Sequence, residues 1–323
     1  MDTDRTPSLN TALRTAAWVV GIFALLFVAA AFLSVCVASR LAPLDHPVAQ
    51  YMMDKGPHKV MRRVLMVLAL PLVPLFLRAG KWEGWSDCGF GDVHRTGVLR
   101  DVLVGGALGC LTIGTMVLLS SVSGLREAQA GVAGREILAA AAMYGIAAIL
   151  IGVFEETLAR GILFRLLARM WTWVPAALIS SLLFSYVHFL KPSRDAFDAV
   201  GGVWRQTGAV LLSTFTAPGR TPDIAFRFVN LTLMGIVLCV FVVQTRTIWM
   251  AAGTHAAWVW IKRINGLATD RVEGVEAGLW LGARSDALDS LLTSFMLLGL
   301  AVGGWIWIRP RSEDRRRKLR VPR

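Results

Sequence analysis

Apolar blocks of about 17 to 25 residues, separated by charged or proline-containing segments, recur along nearly the whole 323-residue chain. That is the length a helix needs to cross about 30 Å of hydrocarbon, at about 1.5 Å of rise per residue. No period-2 alternation runs through the blocks, which argues against a lipid-facing β-barrel. Charged residues make up 17% of the chain, below the roughly 25% of soluble domains, and the mean hydropathy is +0.57. The predicted fold class is therefore all-α: a polytopic integral membrane protein with about eight transmembrane helices in one bundle.

The pattern predicts spans at about 16–38, 64–77, 98–120, 136–169, 174–190, 224–243, 248–261 and 288–308. The first is longer than a signal-peptide core and further spans follow it, so an uncleaved helix is expected. Pro71 and Pro74 predict a kink in the second, and Gly105 and Gly109 give the third a small-xxx-small packing face. The fourth is too long for a span alone and is expected to run on into the interface. The stretch starting at Val210 is expected to dip into the interface. This divides the chain into a polar tail (1–15), one helical domain (16–308) and a basic tail (309–323).

Eight spans place both termini on one side. The dense cluster Arg309, Arg311, Arg315, Arg316, Arg317, Lys318, Arg320 and Arg323 assigns that side to the cytoplasm. The same cluster is a contact for anionic lipid headgroups. The net charge of +12 is not read as nucleic-acid binding, because no aromatic-basic module accompanies it. Cys36, Cys88, Cys110 and Cys239 form no C-x-x-C pair and are read as small apolar fillers.

Against this apolar background a few ionisable residues stand out. Glu155 and Glu156 end an apolar run, Arg160 follows, and His188 and His255 lie in later apolar blocks. Ionisable groups at membrane depth are costly and face a protein interior or a wet cavity. Glu156 and Arg160 have i,i+4 spacing, the geometry of a helical ion pair. Glu155 points about 100° away around the helix, so the arginine can hold one carboxylate while the other faces a cavity. Phe184 and His188 share a face by the same spacing, and His255 has no charged neighbour of its own in the sequence. A glutamate and two histidines on three helices are the parts for activating a water. The glutamate is the general base, and the histidines orient the water, stabilise an oxyanion or bind a metal.

The pattern Glu155-Glu156-x-x-x-Arg160, Phe184-x-x-x-His188 and His255 in a short late span resembles the CAAX-protease and bacteriocin-processing (Abi) family of intramembrane endopeptidases. That family includes the Ras-converting type of prenyl-protein protease. The run Thr247 to Trp258 is similar to its last motif, and the resemblance covers about residues 140–262, with weaker support from the Trp-Gly-rich loop after Lys81. It implies an intramembrane protease with Glu155 as the water-activating base, and Glu156 and Arg160 as its support. It implies that His188 helps orient the water and that His255 stabilises the oxyanion or shapes the site.

The chain departs from the family at Val259, where an Asn or Asp is common. Asn230 is a candidate replacement donor, or else a helix-packing amide. The resemblance leaves both a glutamate mechanism without cofactor and a zinc mechanism open. The first is preferred; in the second Glu155, His188 and His255 are the ligands. The implied substrate is a membrane-associated or lipidated protein or peptide, and the style of loops and tail suggests a bacterial inner membrane. A catalytically silent scaffold with the same cavity is the alternative that Val259 supports. A transporter would call for repeats or paired broken helices, and the sequence shows neither.

Overall fold

A computed structural model describes residues 9–41, 57–69, 85–91, 97–198, 201–218, 224–275, 278–281 and 287–318, with single positions 43, 45, 46, 50, 71 and 74. Helices account for nearly all of the regular structure. They are α1 (Leu9–Leu41), α2 (Pro57–Ala69), α3 (Val98–Val122), α4 (Gly134–Glu156), α5 (Arg165–Met170) and α6 (Trp173–Phe189). After them come α7 (Val203–Thr216), α8 (Ile224–Thr245), α9 (Trp249–Ala268), α10 (Gly278–Leu281) and α11 (Leu291–Lys318). A π-helical segment, Thr157–Phe164, joins α4 to α5. The only sheet among the described residues pairs two three-residue strands antiparallel, β1 (Arg126–Ala128) with β2 (Thr269–Arg271).

Among the described residues four helical stretches are long and apolar enough to cross a membrane: Gly21–Leu41, Val98–Val122, Gly134–Met170 and Ile224–Thr245. Trp173–Phe189 and Leu291–Ile306 are shorter apolar helices. The chain is an all-α polytopic membrane protein. Of the second expected span, 64–77, the described part is the end of α2, which covers Pro57–Ala69 over 13 residues, about 20 Å at helical rise; most of 70–77, where the kink was expected, lies outside the described residues. Pro57 suits the first turn, where no amide N–H is needed. The seventh expected span falls in α9, which is 20 residues long and is not among those four. It is buried without a break from Met250 to Trp258.

The chain forms two compact units: Met1–Lys81 with Tyr186–Pro222, and Trp82–Ser185 with Asp223–Arg323. The stretch expected as one domain, 16–308, covers parts of both. In the first unit Phe27, Ala31 and Val35 of α1 form a core with Met61 of α2, Leu190, Phe197 and Val210 of α7. The interfacial segment expected after Val210 belongs to α7, a 14-residue helix with Val210 and Thr214 buried and Leu212 and Phe215 exposed.

In the second unit α9 lies between α3 and α4, and small residues set the distance. A Cβ at Gly105 would overlap the Met250 carbonyl, and one at Gly109 would lie 2.6 Å from the Thr254 carbonyl oxygen. On the other side a Cβ at Gly152 would lie 2.9 Å from the Ala252 carbonyl oxygen. The small-xxx-small face of the third span is thus a backbone-to-backbone contact with α9. Thr254 Oγ1 donates to Gly105 O and Met250 O, and Trp258 Nε1 donates to Thr112 Oγ1 at 2.8 Å. Beyond the helices, Arg126 donates from Nε to Thr269 Oγ1 and from Nη2 to Thr269 O, both at 2.7 Å, closing the strand pair where α3 and α9 end.

Candidate active site

Close packing of α4 on α9 brings Glu155 and Glu156 to His255. The Nδ1 atom of His255 lies 2.9 Å from Oε1 of Glu156, and its Nε2 lies 3.7 Å from Oε2 of Glu155. A carboxylate can only accept, so Nδ1 carries the proton in the shorter contact and Nε2 is left facing Glu155. The same Oε1 accepts from Arg160 Nη1 at 3.0 Å. Glu156 and Arg160 are both fully buried, while the Glu155 side chain keeps 22% of its surface exposed. The two neighbouring acids therefore sit in different surroundings. One is locked between a guanidinium and an imidazole, and the other is free to meet solvent or substrate.

Phe184 of α6 closes one side. Its ring lies 4.3 Å from Cζ of Arg160, and it meets His255 edge-on with centroids 5.9 Å apart. An aromatic face over a buried guanidinium supplies attraction that water would otherwise give. Ser180, one turn before Phe184, donates from Oγ to the Ala159 carbonyl within the π segment. A π turn leaves backbone groups out of the regular ladder, and such turns recur at functional sites.

The second unit thus gathers Glu155, Glu156, Arg160, Phe184 and His255. His188 lies one turn beyond Phe184 on α6, half-buried, in the stretch that belongs to the first unit. Sequence reasoning missed the partner of His255. No charge lies near it along the chain, and its hydrogen-bonded acid is 99 residues away. The close approach of Gly152 to Ala252 and Ala256, where a Cβ would lie 2.9 Å from the Ala252 carbonyl oxygen, brings the two helices near enough for that meeting.

Residues 137–261 match the family model described as type II CAAX prenyl endopeptidase Rce1-like. The segment that carries the site is Rce1-like. It contains all the residues singled out from the sequence, and its bounds agree closely with the 140–262 of the resemblance. No curated protein and no solved structure matches the chain.

Within the Rce1-like segment Asn230 needs correction as a donor to an oxyanion. Its Nδ2 donates to Leu288 O at 2.8 Å and Ser290 O at 2.9 Å, and its Oδ1 accepts from Ser294 Oγ at 2.7 Å. Both N–H groups are committed to the chain entering α11, so the amide braces α8 against that entry. Arg227 strengthens the same joint with two bonds to Asp289, at 2.8 and 2.7 Å. Asn230→Ala is therefore expected to lower stability by about 1–3 kcal/mol by removing the amide donor to the buried Ser290 carbonyl. The surviving protein should keep its turnover, read as melting temperature against kcat. Val259→Asn, one turn after His255, is expected to leave turnover unchanged or raise it.

The metal alternative was checked on the ligand set. Among the described residues no group of three or more His, Cys, Asp or Glu side chains is arranged to hold an ion. Nδ1 of His255 is already taken by Glu156, which leaves Nε2 alone for a metal. The cysteines are free thiols, and burial pushes Cys88 up to about 11, which keeps it a neutral thiol at neutral pH.

Proposed function

We propose that this membrane protein is an intramembrane endopeptidase that hydrolyses a peptide bond in a membrane-associated or lipidated protein or peptide. The observation that carries this reading is the clustering of Glu155, Glu156 and His255 inside an Rce1-like segment, with His255 between the two carboxylates. A family of prenyl endopeptidases makes a prenylated C-terminal peptide the first substrate to try.

Glu155 is the base. Its carboxylate takes a proton from water, and the hydroxide attacks the carbonyl carbon of the scissile bond. His255, protonated on both nitrogens for this step, gives Nδ1–H to Glu156 and offers Nε2–H to the developing oxyanion. Collapse breaks the C–N bond, and the proton held by Glu155 goes to the leaving amine, which restores the carboxylate. Glu156 holds the imidazole ring in place, and Arg160 holds the Glu156 carboxyl in its orientation. His188 is assigned to orienting the attacking water. The mechanism asks nothing of a metal, and zinc remains its competitor for the same residues.

The test is hydrolysis of a prenylated reporter peptide by the full chain in lipid nanodiscs, with product mass giving the cleaved bond. Activity is expected to survive a strong chelator, and the purified protein is expected to hold less than one zinc per chain. Loss in chelator with recovery on added Zn²⁺ would reassign Glu155, His188 and His255 as ligands.

A second reading rests on two observations. Valine at 259 cannot donate, and Asn230 is committed elsewhere, so one donor of the family's oxyanion arrangement has no replacement in either residue. Saturable binding of the reporter without cleavage would favour a silent scaffold. We further assign the basic tail to anionic lipid and both termini to the cytoplasmic face of a bacterial inner membrane. Labelling of single cysteines introduced at each terminus, in intact and opened cells, checks the orientation.

A further inference from the structure

Residues 85–91 precede the Rce1-like segment, yet they pack against both of the helical stretches that supply the site. The π segment rests on them: a Cβ at Gly161 would lie 2.6 Å from the Cys88 carbonyl oxygen. Directly after that segment, Arg165 donates from Nη1 to Asp87 O at 3.2 Å and from Nη2 to Arg246 O at 2.7 Å. Arg246 lies in the tight turn between α8 and α9. Among the described residues it is the one non-glycine residue with positive φ, at 62°. Such a backbone persists where its surroundings over-determine it.

Strap and turn are also joined to each other. Ile248 N donates to Gly89 O at 2.8 Å, and Trp249 Nε1 donates to Phe90 O at 2.9 Å. Phe90 meets the Trp249 ring edge-on, with centroids 5.6 Å apart. Gly89 has φ of 84°, and a Cβ there would lie 2.8 Å from Arg165 Nη2, so a side chain at 89 would be strained and would push the guanidinium. Arg165 lies about two helical turns after Glu156, and Ile248 about two turns before His255.

We propose that Arg165 and the strap 85–91 are a positioning device that sets the depth of the glutamate-bearing helix against the helix bearing His255. The inference deepens the proposed function and rests on that reading for its catalytic consequence. A planar guanidinium spans two carbonyls from two segments, and a lysine ammonium is a point charge that cannot reproduce the fork. A small slip between the two helices would lengthen the contact between His255 and Glu156 before it unfolded anything.

The experiment compares Arg165→Lys with the unaltered full chain in nanodiscs. It reads kinetics on the prenylated reporter and ¹⁵N signals of the His255 ring, assigned through His255→Gln. The expected result is kcat lower by about 10- to 100-fold with KM nearly unchanged. The Nδ1 signal should lose its hydrogen-bonded shift. Asp289→Asn, which breaks the remote pair with Arg227, is the control for lost stability alone and should leave the His255 signals in place. If Arg165→Lys does not fold, Trp249→Phe removes one strap bond and should move the same two readouts by less. Unaltered ring signals together with unaltered kcat in the folded variant would overturn the proposal. If the unaltered chain cleaves nothing, the proposed function fails, while the ring signals still decide whether the strap positions His255.

Discussion

Glu155→Gln is expected to abolish cleavage of the reporter while expression, membrane insertion and melting temperature stay near those of the unaltered chain. Glutamine has the shape of glutamate but cannot take a proton from water. A positioned general base contributes about 10²- to 10⁴-fold to a rate, so turnover should fall below detection in an ordinary assay. The fold should tolerate the change because the Glu155 side chain is partly exposed and its approach to His255, at 3.7 Å, is longer than a hydrogen bond. Measured together, initial rate and thermal stability separate a chemical loss from a structural one. Activity within a few-fold of the unaltered chain would remove Glu155 from the mechanism.

Glu156→Gln should fail in a different way. Its Oε1 is the shared acceptor for Arg160 and His255, and both Glu156 and Arg160 are fully buried. An amide leaves the Arg160 cation without a counter-charge at membrane depth. Breaking a buried pair from one side costs about 3–5 kcal/mol, enough to lower yield and melting temperature plainly. Any protein that folds should also turn over slowly, because the imidazolium that faces the oxyanion loses its carboxylate. Restoring neutrality with Arg160→Met in the same chain should recover much of the stability, and little of the activity. Equal and full activity in both single variants would end the division of labour between the two acids.

How far the sequence revealed this arrangement depends on the distance over which each relation acts. Helical class and most spans were legible, because hydropathy averages over a whole segment. The Glu156–Arg160 pair was legible because i,i+4 spacing is a local property. The bond from Glu156 to His255 was not, since it depends on a glycine at 152 admitting α9 to close approach. Asn230 shows the limit most plainly. A buried amide on an apolar helix needs partners, and only the fold tells whether they belong to a substrate or, as here, to the turn at 288–290.

The widened turn at Thr157–Phe164 makes chain length, alongside the identities of Arg160 and Gly161, a quantity that matters between the acids and Arg165. A π turn holds one residue more than an α-helix needs to cover the same ground. Losing a single residue there would let the segment relax to ordinary helix and swing everything after it by about 100°. Arg165 would then face away from Asp87 and Arg246, although every atom of the catalytic cluster was still encoded. Away from Arg160 and Gly161, substitutions that keep the count can drift in this stretch, whereas a one-codon deletion reaches the site as surely as a change at Glu155. The segment behaves like a spacer whose measure is kept in residues.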